Sequence, residues 1–377
     1  MKVCIVGYGY CAERNIELYQ QKHNVTLLVP FNITVEDSME LRQKTSVPIY
    51  YEFETDAVKL CDIYIVCLDL KYDNGEQSID LDPLSDVARA LRRNIREGST
   101  ILLETTVGVG VTRKMFTGMN FHCSHSPTVF NPNNIAHSPS NQPKLIGGLD
   151  SESEQLAMQF YEPVYANVVC TGSPEVSEAA IMLKRAKKTV EEALVNEFAD
   201  FCDMVEGLDI HEVIDATTVG DRDPQVTLPW IGRSVDIDSH HLISSSINGK
   251  PLRFWPVLSA ASDQLMARPG KVYRSIVDKY ARGKFDNLHK MAFLVVGLGS
   301  VMGSPDTKNS PVMSIIQKLE LEGAKVDKYD MFIDEYQELP DMEHNSGKPK
   351  YDGILVMHPY NPQIWKKHKQ TTFYCRH

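Results

Sequence analysis

The sequence contains no apolar run approaching the ~20 residues that span a bilayer, so no membrane-crossing segment is expected. None of its eight cysteines forms a C-x-x-C pair, which argues against a zinc ribbon or a dithiol redox motif. Positive charge is not in excess: 39 Lys and Arg stand against 50 Asp and Glu, a net charge of −11. Such a chain has no overall attraction to phosphate backbones, and nucleic acid is not expected as a partner. Tryptophan is scarce; Trp230, Trp255 and Trp365 read as core or interface residues rather than ligand stackers. A long stretch, from Asp203 to Tyr374, holds no cysteine at all.

What is present is ordinary for a soluble globular protein, with 42% hydrophobic and 24% charged residues. At roughly 100–200 residues per domain, 377 residues suggest two or three domains. The N-terminal run Lys2–Gly7 is broken by glycine too soon for a signal peptide and reads as the first strand. Several cysteines sit in apolar, strand-like runs, so buried thiols in a reducing, cytoplasmic setting are expected. Membership of a virus particle or another assembly stays open.

The hydrophobic pattern predicts strands at 2–7, 25–29, 62–68, 99–106 and 144–148, with helices over 11–22 and 84–97. Alternating strands and helices indicate a parallel, doubly wound sheet. A long helix is predicted from 174 to 206, opened by Ser173-Pro174-Glu175 and read as the spine of a middle domain and a dimer surface. Loop is expected over 221–250 and 338–350, and helix over 256–283. A second α/β unit follows, with strands at 291–297, 324–329 and 352–357 and a helix at 311–322. The expected division is a Rossmann-like domain over 1–150, a central helical domain over 151–285 and a second Rossmann-like α/β domain over 286–377.

Gly7-x-Gly9-x-x-Ala12 falls between the first strand and the first helix, where a dinucleotide fingerprint belongs. Gly7 permits a tight turn, Gly9 lets a pyrophosphate approach the backbone, and Ala12 lets helix and strand pack closely, with phosphates at the helix N-terminus. The bland alternative is a tight turn that binds nothing. The acid expected after the second strand, to hold the ribose hydroxyls, is missing: the chain reads Val29-Pro30-Phe31-Asn32, and Glu36 is the next acid. A second glycine run, Gly297-Leu298-Gly299, also follows a strand and leads to a helix capped by Asn309 or Ser310 with Pro311 at its first position.

Taken together, these segments resemble the UDP-glucose/GDP-mannose dehydrogenase family. The resemblance rests on Gly7-Tyr8-Gly9-Tyr10, Glu104-Thr105-Thr106-Val107, Ser126-Pro127, Pro143–Gly148, Ser177-Glu178, Ala193–Glu197, Asp306–Pro311, Gly323–Val326 and Tyr329-Asp330. It implies an NAD-binding domain, a helical dimer core and a UDP-binding domain, and a double oxidation of a sugar alcohol to a carboxylate through a cysteine thioester. On that resemblance Gly7, Gly9, Tyr10, Ala12 and Thr106 are assigned to NAD, and Asn196 and Lys308 to a UDP-sugar. Asp238 and Thr106 match catalytic positions, Ser234 stands where the nucleophilic cysteine belongs, and Lys184 is the nearest basic residue along the central helix.

The departures fall on the chemistry. A serine hydroxyl is far less acidic than a thiol and needs a neighbouring base, and an ester hydrolyses less readily than a thioester. The family's helical lysine is Ile181, its asparagine Arg185, its S-P-E glutamate Thr128, the lysine after the second glycine run Met302, and the arginine before S-P Lys308. The expectation is a pseudoenzyme that keeps the fold, binds a nucleotide or a protein partner, and forms a homodimer. The alternative is an NAD-dependent oxidoreductase of altered chemistry using Ser234, His240 or Lys184. Asp236, Asp238, His240 and His241 lack any standard ligand spacing, and no metal is expected.

Overall fold

The computed structural model describes residues 1–30, 39, 41–43, 45–73, 78–118, 120–127, 143–217, 242, 246–247, 250–251, 255–283, 285–299, 303, 307, 310–343, 349–358 and 372–374. The chain forms two compact units. The first comprises Met1–Asn131, Ala136–Arg185 and His240–Arg253, and the second comprises the remainder.

The first unit is built on an eight-stranded sheet in the order β10-β9-β8-β7-β4-β1-β2-β3. Its strands are β1 (Lys2–Val6), β2 (Asn24–Leu28), β3 (Ile49–Tyr50), β4 (Ile63–Val66), β7 (Thr100–Leu103), β8 (His122–His125), β9 (Lys144–Gly148) and β10 (Val168–Cys170). Short strands β5 (Tyr72–Asp73) and β6 (Ser78–Ile79) pair separately as a ribbon. All pairings in the large sheet are parallel except β8 with β9. The central strands are buried and largely apolar because helices cover both faces. Helices α1 (Tyr10–Tyr19), α2 (Asp56–Lys59), α3 (Asp82–Asn94), α4 (Val111–Phe116) and α5 (Ser151–Tyr161) occur in this unit.

Two apolar clusters occupy the two faces. One gathers Val6, Leu28, Val66 and Leu103 with Leu84, Val87 and Leu91 of α3. The other gathers Val3, Ile5, Leu27 and Ile65 with Ala12 and Ile16 of α1 and Phe160 and Tyr161 of α5. Each fully buried Val, Leu or Ile contributes about 1.5–3 kcal/mol. Successive residues of β1 alternate between the two clusters, so shifting its register by one residue would exchange the clusters. The predicted strands at 2–7, 25–29, 62–68, 99–106 and 144–148 are all present: the first, third and fourth are shorter than predicted, the second is shifted by one residue and the last coincides. Strands β8 and β10 and helix α5 were not predicted. Asp150 starts α5, its carboxylate accepting the Ser153 amide at 2.7 Å.

Helix α6 (Pro174–Met204) matches the predicted long helix and crosses the division between units after Arg185. In the second unit, α7 (Ile210–Thr217) and α8 (Pro256–Ala281) follow. Two-residue strands β11 (Ser246–Ile247) and β12 (Lys250–Pro251) pair with each other in the first unit. The second unit ends in a parallel sheet ordered β14-β13-β15-β16, from β13 (Ala292–Val296), β14 (Lys325–Tyr329), β15 (Gly353–Val356) and β16 (Thr372–Tyr374). Helix α9 (Pro311–Leu321) covers it with Val312, Ile315, Ile316 and Leu319. Ser310 supplies the expected cap, its hydroxyl accepting the Val312 amide at 3.3 Å. Among the described residues, no helix is long and apolar enough to cross a membrane.

Candidate functional site

The strand order of the first unit reverses direction between β1 and β4, and in such sheets a crevice opens at the carboxyl ends of those strands. Gly7 follows β1, Cys67 to Asp69 follow β4, and Glu104 follows β7, so all three segments meet at that edge. Gly7 has φ +141°, and a Cβ there would stand 2.7 Å from the carbonyl carbon of Cys67. Its lack of a side chain is therefore required by the protein's own backbone. Gly9 has φ +120°, and a Cβ there would stand 3.2 Å from Cγ of Asp69, with Oδ2 closer still. Tyr10 opens α1, the Gly9 carbonyl accepts the Glu13 amide at 3.0 Å, and Ala12 is buried against the sheet.

The backbone of this turn has the shape a dinucleotide needs. Its electrostatics do not: the space over Gly9, where a pyrophosphate would approach, holds a carboxylate. A helix N-terminus attracts an anion, and here an anion of the chain itself is already beside it. A diphosphate at this turn would require the exposed Asp69 carboxylate to move out of the space over Gly9.

A buried polar cluster adjoins the same turn. Glu104 Oε1 accepts from Lys144 Nζ at 2.8 Å, Tyr161 Oη at 2.8 Å and Tyr19 Oη at 3.2 Å, and Oε2 accepts from Asn15 Nδ2 at 2.7 Å. Lys144 is 1% exposed and Glu104 fully buried. Burial pulls the lysine toward its neutral form, but the charge of Glu104 and its hydrogen bond more than offset that, and its pKa is raised. The ammonium also lies 4.5 Å from the Tyr161 ring centroid. This is a paired, hydrogen-bonded carboxylate whose role is to fix α1, β7, β9 and α5 together.

Two other buried groups hold neighbouring segments. Glu178, on α6, accepts from the backbone amides of Gly110 at 2.6 Å and Thr112 at 2.8 Å, and so caps α4 from a distance of 66 residues in sequence. Burial raises its pKa. His125 Nδ1 lies 2.9 Å from Ser177 Oγ. Burial, aided by the Lys144 charge, pushes this imidazole down to about 3, so it is neutral at pH 7.

Gly7 and Gly9 lie in the turn after β1, and Tyr10 and Ala12 lie in the first turn of α1. Thr106 is half-buried just after β7. Its neighbour Thr105 makes the structural bonds, accepting from the Leu68 amide at 2.8 Å and donating to the Val66 carbonyl at 3.2 Å. Lys184 is exposed on α6, Ile181 is buried, and Asn196 is buried in the second unit. Ser234, Asp238, Lys308, Thr128, Met302 and the loop holding Asp236, His240 and His241 lie outside the described residues. In the second glycine run, Asp330 Oδ2 accepts the amides of Leu298 at 2.7 Å and Gly299 at 3.3 Å, which occupies donors a phosphate would use. Sequence reasoning missed Asp69, Asn15 and Cys67, and read Glu104 and Lys144 only as parts of motifs. An acid ending the apolar run Ile101-Leu102-Leu103, and a lysine opening Leu145-Ile146, are signals that could have paired the last two.

Residues 30–165 match a profile described as the UDP-glucose/GDP-mannose dehydrogenase family, NAD binding domain. A UDP-N-acetyl-D-mannosamine dehydrogenase of Methanocaldococcus jannaschii is 22% identical over 361 residues, covering 89% of this chain and 80% of that protein. A second, from Methanococcus maripaludis strain S2, is 24% identical, covering 71% of this chain but 62% of the relative. A UDP-N-acetyl-D-glucosamine 6-dehydrogenase of Salmonella typhi is 23% identical, covering 94% of this chain and 89% of that protein. Among solved structures, the UDP-D-ManNAc dehydrogenase of Pyrococcus horikoshii aligns with a TM-score of 0.77 at 19% identity, over 99% of this chain and 94% of its own. A UDP-glucose dehydrogenase of Pyrobaculum islandicum aligns at 0.74 and 15% identity, over 100% of this chain and 94% of its own.

Proposed function

Because the chain belongs to the UDP-glucose/GDP-mannose dehydrogenase family, we propose that it is a degenerate member, with the nucleotide-binding fold kept and the double oxidation lost, acting in binding or as an assembly protein. The observation that carries this reading is the Asp69 carboxylate over Gly9, an anion where the cofactor's diphosphate would go. The sequence supports it independently: no cysteine occurs from Asp203 to Tyr374, and Ser234 stands at the nucleophile's place. A hydroxyl there would have to be deprotonated by a base, and a thiolate would not. The donors of the second glycine loop are satisfied by Asp330, which removes a reason to expect a phosphate there.

The degenerate member acts as a homodimer through α6, where Leu194, Phe198 and Phe201 recur at helical spacing and are exposed. The expected boundary at 150 falls before α5 and β10, which belong to the first unit's core and sheet, so the helical segment of that dimer is carried by α6 rather than by residues from 151 on. A second reading, an active NAD-dependent oxidoreductase on a nucleotide sugar, is favoured by the profile match over residues 30–165 and by the names of the relatives.

A thermal-shift panel with NAD, NADP, UDP, UDP-glucose and GDP-mannose separates the readings. Ligand at 100 times its Kd stabilises a protein by about 2.7 kcal/mol. The degenerate reading expects no shift with either dinucleotide. Shifts with both a dinucleotide and a UDP-sugar favour the active reading.

A further inference from the structure

Two thiols meet at the glycine turn. Cys11 is half-buried in the first turn of α1, and Cys67, at the end of β4, is buried. Both are unbridged. Their Sγ atoms and one carboxylate oxygen of Glu104 all lie within 4.8 Å of one another. The Asn15 amide links them: Nδ2 donates to Cys67 Sγ at 3.0 Å and lies 4.0 Å from Cys11 Sγ. The residues are 56 positions apart, so no spacing motif announces the pair.

Three such groups could also suggest a cation site. The local charges disfavour it. Lys144 already neutralises Glu104, and both carboxylate oxygens are engaged by Lys144, Tyr161, Tyr19 and Asn15. A metal ion would have to enter beside a buried ammonium and displace those donors. An accessible thiol beside a buried partner is instead the arrangement of a reversible oxidation site.

We propose that Cys11 and Cys67 form a reversible intramolecular disulfide, with a peroxide as the oxidant. The half-buried Cys11 sulfur attacks hydrogen peroxide. The O–O bond breaks, one oxygen stays on sulfur as a sulfenic acid, and the other leaves as water. Cys67 sulfur then attacks Cys11 sulfur. The S–O bond breaks, the S–S bond forms, and the hydroxyl departs with the Cys67 proton as a second water. The peroxide gains two electrons and the two sulfurs lose one each. Burial raises the Cys67 thiol's pKa, so it serves as the resolving sulfur and Cys11 meets the oxidant. The new bond ties the first turn of α1 to the end of β4, across the turn formed by Gly7 and Gly9. This site is independent of whether NAD binds or sugars are oxidised.

The test is peptide mapping of the whole protein after a stoichiometric pulse of hydrogen peroxide. Trypsin places Cys11 on Val3–Arg14 and Cys67 on Leu60–Lys71, and the same peptides carry Cys4 and Cys61. Fragment-ion sequencing must therefore decide which sulfurs are joined. The expected result is a Cys11–Cys67 bond with loss of two hydrogens, reversed by dithiothreitol and absent in Cys11→Ser. In Cys67→Ala the Cys11 sulfenic acid should persist and be trapped by dimedone. Joining of Cys4 and Cys61 alone would overturn the proposal. So would alkylation of both Cys11 and Cys67 in the oxidised, denatured protein. Retention of stoichiometric zinc by the wild type but not by Cys11→Ser would overturn it in favour of a cation site.

Discussion

The Lys144 ammonium lies 2.8 Å from Oε1 of Glu104, and the two side chains are essentially sealed from solvent. They come from the antiparallel margin and the parallel centre of one sheet, 40 residues apart. A buried pair of this kind adds little net stability over apolar residues, but losing one partner strands the other charge.

That asymmetry gives the first prediction. Lys144→Met should cost about 3–5 kcal/mol, because Glu104 loses its counter-charge. The double variant Lys144→Met with Glu104→Gln should recover part of that loss, since no charge remains stranded. Urea denaturation of the two variants and the wild type reads the difference.

Acid should destabilise the fold through His125. Its folded pKa is depressed to about 3 by burial, against an ordinary value near 6.5. The unfolded chain therefore binds a proton that the folded chain refuses. The stabilisation is complete above pH ~6.5 and is lost as the pH falls toward 3, at about 1.4 kcal/mol per unit at most. His125→Asn should flatten the fall in melting temperature over that window by the equivalent of one proton. An unchanged slope would contradict the burial of this imidazole.

Asp69 should control dinucleotide affinity. Asp69→Asn keeps the shape of the side chain and removes its charge, so NAD binding, too weak to register in the wild type, should strengthen by at least about tenfold (~1.4 kcal/mol) and become measurable. Titration calorimetry on the two proteins checks this. Equal affinity would mean that the carboxylate does not oppose the diphosphate.

The exposed stripe on α6 predicts its own phenotype. Phe198→Glu, at a surface position, should leave the fold intact and shift the protein from dimer to monomer in sedimentation velocity. A monomeric wild type would contradict the dimer.

Much of the sheet was legible in the sequence because buried parallel strands are apolar throughout. Val3–Val6, Ile63–Val66 and Ile101–Leu103 announce themselves, and Gly7, Gly9 and Ala12 mark the turn between them and α1. Strand β8 was not legible. Its residues His122-Cys123-Ser124-His125 are polar, and they are tolerated inside because Ser153 and Ser177 hydrogen-bond to them. Helix α5 was hidden because its buried Ala157, Phe160 and Tyr161 are preceded by a run rich in acids. The polar cluster was the least legible part. Asn15 reaches Cys67 over 52 residues and Glu104 over 89, and only the fold brings such positions together.

The most direct measurement is steady-state NADH formation by the purified protein with a panel of UDP-sugars and NAD. The account predicts none, in the wild type and in Asp69→Asn alike, because that substitution restores at most cofactor binding and leaves serine at position 234. Sustained NADH production by the wild type, abolished by Asp238→Ala, would contradict it.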